Sequence, residues 1–84
     1  MMGPFYLYFH RGGRDPFEHL VVLDSAVFER IWPHQQALDM AWTHKVPDDV
    51  QSLVDEAMDL PDADLRPSEM DAIPDDRFIR VTLC

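Results

Sequence analysis

Apolar and aromatic residues fill positions 5–9 without interruption, as Phe5, Tyr6, Leu7, Tyr8 and Phe9, and give way to His10 and Arg11. A run this short and this aromatic fits a pleated strand better than a helix, and Pro4 stands just ahead of it where a strand tolerates proline. The sequence therefore predicts a first strand over residues 5–10. Gly12, Gly13 and Pro16 follow closely, and they supply the backbone freedom and the break in pairing that a turn requires. A second apolar run, Leu20, Val21, Val22 and Leu23, predicts a second strand over residues 18–23. Two short strands across one loop form an antiparallel hairpin, here with Arg11 and Arg14 at its tip.

Alternation along the first strand sends Phe5, Leu7 and Phe9 to one face and Tyr6, Tyr8 and His10 to the other. Simple pairing of the hairpin would add Val21 and Leu23 to the second set. Both faces are then apolar or aromatic, which is more than a few short helices can cover. Tyr6, Tyr8, Val21 and Leu23 are accordingly read as a face for a second copy of the chain in a homodimer, with residues 61–74 as the competing cover.

Beyond the hairpin the spacing becomes helical. Asp24 or Ser25 can cap a helix that begins at Ala26 and buries Val27, Phe28 and Ile31. Pro33 lacks an amide proton, so a break is expected near Trp32, followed by a second helical stretch over residues 34–43 with Leu38, Ala41 and Trp42 on one side. Pro47 suits the first turn of a third helix reaching residue 60, in which Val50, Leu53, Val54, Ala57 and Met58 recur with the period of one buried stripe. Pro61 ends it. Residues 61–74 read as an acidic surface loop with one helical turn around residues 68–72. The last strand is signalled by strict alternation, with Ile79, Val81 and Leu83 inward and Arg80 and Thr82 outward. The order predicts one α+β domain spanning residues 1–84: a small three-stranded, largely antiparallel sheet, the hairpin plus the C-terminal strand, with two to three helices packed on one face.

Charge changes this picture. The 84 residues carry 16 acids against 7 Lys and Arg, a formal net charge of −9. Through Lys45 the chain holds five acids and four bases; after it come eleven acids and three arginines, a net of −8. Direct binding to nucleic acid or to an anionic membrane is disfavoured, because phosphate contacts need a positive footprint. Asp48, Asp49, Asp55, Glu56 and Asp59 fall off the apolar stripe of the third helix, and Asp62, Asp64, Glu69 and Asp71 continue the acidic run through the loop. These nine residues are the candidate partner-binding set. Carboxylates at such spacing match a basic surface of another protein and resemble backbone phosphates in charge, whereas the same face also serves simply to keep a small protein in solution.

Specific chemistry is harder to find. The one cysteine, Cys84, cannot form an intramolecular disulfide, which points to a reducing, cytoplasmic setting. No apolar run approaches the length of a membrane span, and the start lacks the layout of a signal peptide. The segment Asp62-Ala63-Asp64-Leu65-Arg66 puts an arginine where a calcium loop needs oxygen and Pro67 where it needs glycine. His10, His19, His34 and His44 lack zinc spacing, although the hairpin would bring His10 and His19 near each other. Ser25 is explained as a cap, and no phosphate-cradling glycine loop or nucleophile elbow is present. The expected protein is therefore non-enzymatic, takes no cofactor or metal, and binds a protein with a basic surface.

In small size, polarised acidity and lack of catalytic motifs the chain is similar, as a class, to anti-CRISPR and anti-restriction proteins and to immunity proteins or antitoxins that block nucleases. No ordered set of residues matches a named domain, so the expectation of an inhibitor acting as a nucleic-acid mimic is one of class analogy, with no motif behind it. Two other readings remain at this point: a ligand-binding or enzymatic domain with a pocket between sheet and helices near Tyr8, His10 or His19, and an acidic adaptor subunit of a larger assembly.

Overall fold

The computed structural model describes residues 4–40 and 46–83. Strands β1 (Phe5–Arg11) and β2 (Phe17–Leu23) form the hairpin, and β3 (Phe78–Thr82) closes the sheet. Between β2 and β3 lie α1 (Ser25–Ile31), a 3-10 turn over Trp32–His34, α2 (Gln35–Asp39), α3 (Asp48–Met58), α4 (Pro67–Asp71) and a second 3-10 turn over Asp75–Arg77. The fold is α+β, with sheet order β2-β1-β3. β1 is central, antiparallel to β2 and parallel to β3, so the sheet is mixed.

Each element follows from its residues. Gly13 adopts φ 91°, the left-handed conformation open to glycine, and turns the hairpin. Arg11 clamps the loop through Nε–H to the Asp15 carbonyl at 2.9 Å and Nη2–H to its carboxylate at 3.1 Å. Pro33 sits inside the 3-10 turn that separates α1 from α2, the expected break. Asp24 occupies the N-cap of α1, yet its side chain makes no capping bond. The expected positions Ala41 and Trp42 lie outside the described residues, as does Cys84.

The core forms between one sheet face and α1–α3. Leu7, Phe9, Val21, Leu23, Ile79 and Val81 meet Phe28, Ile31, Leu38, Val50, Val54 and Ala57 there, and Leu53, Met58 and Leu83 pack at its margin. Here the hairpin corrects the expected faces. Its register pairs Leu7 with Val21 and Phe5 with Leu23, so odd positions face odd positions and Val21 and Leu23 are buried under the helices. The partners of Tyr6 and Tyr8 on the second face are Val22 and Leu20 instead. A shift of register by one residue exchanges faces, and the irregular loop between the strands does not announce which register it sets.

Part of the second face is covered by the chain itself. The Ala63 amide donates to the Leu20 carbonyl at 2.6 Å, the Leu20 amide donates to Asp62 Oδ1 at 3.0 Å, and His19 Nε2–H donates to the Leu60 carbonyl at 2.9 Å. These bonds seal the outer edge of β2 at Leu20, leaving it buried although its side chain points away from the main core. Asp62→Ala should release this clasp. Because a hydrogen bond contributes about 1 kcal/mol net, exchange of the Leu20 amide should accelerate about fivefold while the β1 amides keep their protection. Unchanged exchange at Leu20 would mean that the clasp contributes nothing to the edge.

Candidate functional site: an acidic helix face and the segment that follows it

α3 starts with Pro47 at its N-cap, and Asp48 and Asp49 fill its first turn, where the helix dipole favours negative charge. Val50, Val54 and Ala57 are buried, which fixes the rotation of the helix and turns Asp55 and Glu56 outward. The opposite end breaks the electrostatic rule. Asp55, Glu56 and the C-cap Asp59 crowd the C-terminal turn, which has no basic residue. Negative charge is unfavourable there by a few tenths of a kcal/mol per residue, and Asp55 and Asp59 add a like-charge pair at i, i+4 spacing. Among the described residues none of these three has an ion-pair partner within 4.0 Å.

The nine sequence-selected carboxylates are all exposed but are not equivalent. Arg30 of α1 pairs with Asp49, and its hydrogen bond holds that carboxyl below the ordinary carboxylate range. Asp62 serves the β2 clasp, and its Oδ1 also lies 3.4 Å from His19 Nδ1. Glu69 accepts the Arg66 amide at 3.1 Å and caps α4, which begins with Pro67. Asp48, Asp55, Glu56, Asp59, Asp64 and Asp71 are left outside such bonds among the described residues. The sequence could not set Asp49 and Asp62 apart, because their partners on α1 and β2 are distant along the chain, whereas Glu69 is bonded locally, three residues from Arg66.

The second sheet face offers different chemistry. Tyr8 stacks with His10 and Phe78 at centroid separations of 5.5 and 5.8 Å, and its hydroxyl donates to Glu18 Oε1 at 2.5 Å. His10 Nε2 meets Thr82 Oγ1 at 2.8 Å, whereas His19 lies on the opposite face beside Phe9. The expected approach of His10 and His19 is therefore corrected: adjacent register positions place them on opposite sides of the sheet. A cleft of about 350 Å³ opens between this face and the covering segment, lined by Tyr8, Glu18, Leu20, Asp62, Leu65 and Met70 among others. Val22 is 49% exposed beyond the cover.

Burial, then the hydrogen bond to Glu18, pushes the Tyr8 phenol up to about 12. Since the folded state holds this proton more tightly than the unfolded chain, the resulting stabilisation is complete below about pH 10 and is lost as pH rises toward 12. Tyr8→Phe should remove that alkaline loss, and a tyrosinate absorbance titration should lose its uppermost transition. An unaltered titration curve would exclude the assignment to Tyr8.

No helix among the described residues is long and apolar enough to cross a membrane. No protein-family model, curated protein or solved structure matches the chain.

Proposed function

We propose that this chain is a non-catalytic interaction protein whose α3 face and following acidic segment dock on a basic surface of a larger protein. One observation carries the reading: Asp55, Glu56 and Asp59 gather at the helix end where the chain's own electrostatics disfavours them, without an ion-pair partner among the described residues. Carboxylates that weaken their own helix gain a use when cations arrive from outside. Asp48 adds charge at the start of α3, Asp64 and Asp71 add it on the segment over the second sheet face, and Asp49, Asp62 and Glu69 contribute charge while holding the local structure. A partner that handles nucleic acid is the best match, since its groove is built for closely spaced negative charge. The protein then acts as an inhibitor of the anti-CRISPR, anti-restriction or immunity type, competing with the phosphate backbone in the cytoplasm.

Affinity capture from the source cell with two baits tests this. Wild-type protein should enrich one basic protein in stoichiometric amount, and Asp55→Asn/Glu56→Gln/Asp59→Asn should lose most of it, because shape is nearly kept while charge is removed. Equal recovery by both baits, or enrichment only of proteins without a basic surface, would overturn the reading.

A further inference from the structure

The end of the sheet where β1 and β3 begin side by side holds an aromatic cleft that the acidic face does not include. Phe28 of α1 lies 4.7 Å, centroid to centroid, from Phe5 of β1 and 5.4 Å from Trp32, one helical turn further on. With Glu29, Asp76 and Arg77 these rings bound a cleft of about 380 Å³. Phe28 is buried and forms its floor, while Phe5 and Trp32 are half-buried and Glu29 and Asp76 stand exposed at its rim.

Three features determine what fits. Aromatic faces carry partial negative charge and attract cations, and the Arg77 guanidinium already lies over the Phe5 ring at 6.0 Å from its centroid. Glu29 and Asp76 have no ion-pair partner within 4.0 Å among the described residues, so Arg77 does not neutralise them. The three charged groups sum to a net negative rim, which repels a carboxylate or phosphate and favours a cation. A purely apolar occupant would leave both carboxylates unused.

We infer that this cleft receives an arginine or lysine side chain of the partner, its charged head between Trp32 and the carboxylates of Glu29 and Asp76. The inference rests on the acidic-docking reading and adds an anchoring point to it. α1 links the two regions: Glu29 and Trp32 border the cleft, while Arg30, the next residue along, pairs with Asp49 of α3. A diffuse field on α3 would speed encounter, and an aromatic pocket would hold one side chain in place.

The test uses small probes on the intact protein, with the assigned Trp32 indole N–H resonance as readout. N-acetyl-arginine methylamide and its lysine analogue should shift that resonance saturably, at least fivefold more tightly than the neutral norleucine analogue. Glu29→Gln/Asp76→Asn should weaken arginine binding at least fivefold with the spectrum otherwise unchanged. Norleucine binding as tightly as arginine, an N-acetyl-aspartate probe binding in preference, or indifference to the double variant would each overturn the inference. Reversal of Asp55, Glu56 and Asp59 to Lys should leave the arginine shift in place, which separates the two claims. Loss of partner capture on α3 reversal without any arginine shift at Trp32 would remove the cleft and keep the docking face; an arginine shift with capture indifferent to α3 would do the reverse.

Discussion

Val81→Glu should leave the chain unfolded at room temperature, whereas Arg80→Glu should melt within about 4 °C of wild type. The two positions are neighbours on β3 and differ only in the face they occupy. Val81 is fully buried beside Phe9 of the central strand, and Arg80 is exposed beside Tyr8. Replacing Val81 forfeits about 1.5–3 kcal/mol of burial and puts a carboxylate among aliphatic side chains, at a further cost of several kcal/mol. A domain of this size is stabilised by only about 5–10 kcal/mol, so the native state cannot absorb that loss. Surface changes such as Arg80→Glu usually fall within about 0.5 kcal/mol, which for a domain of 60–100 residues is a few degrees. Circular dichroism melts of both variants suffice as the measurement. Equal destabilisation would refute the arrangement of β3 against the core.

Charge reversal of Asp55, Glu56 and Asp59 to Lys should slow association with the proposed basic partner by about 10- to 1,000-fold, the range over which electrostatic steering acts. The fold should survive, since Val50, Val54 and Ala57 hold α3 from its other side and three lysines at a helix C-terminus suit its dipole. The melting temperature should therefore stay level or rise while binding falls, an inverse relation that a structural role for these carboxylates does not produce. Stopped-flow association alongside a thermal melt measures both. Slowed binding with a lowered melting temperature would point to damage rather than to docking.

The elements that the sequence reveals are those whose burial has a short period. Ile79 and Val81 alternate with Arg80, and Val50, Val54 and Ala57 recur at helical spacing, so each reports its buried side locally. Pro33 marks the break between α1 and α2 because its missing amide acts on the adjacent turn. The face of Val21 and Leu23 was not legible in the same way: both faces of β2 are apolar, and the choice belongs to the register set by the loop around Gly13. Likewise, nothing in residues 78–82 specifies parallel pairing with β1, which depends on where the helices return the chain. The aromatic cleft shows both limits. Phe28 and Trp32 at i, i+4 are visible on the sequence as one helix side, but Phe5 joins them through the hairpin register that pairs it with Leu23, and Asp76 and Arg77 only through the parallel pairing. The acidic face was legible as charge, while the engagement of Asp49, Asp62 and Glu69 with Arg30, β2 and α4 required the folded chain.

The dependence of the association rate on ionic strength tests the proposed docking most directly, because exposed charges are screened over about 8–10 Å at physiological salt and buried apolar contacts are not. For wild-type protein and its captured partner, the logarithm of the rate should fall steeply as salt rises, and the slope should flatten with Asp55→Asn/Glu56→Gln/Asp59→Asn. Rates that are flat in salt for wild type, or equally steep for both proteins, would contradict docking through the α3 carboxylates.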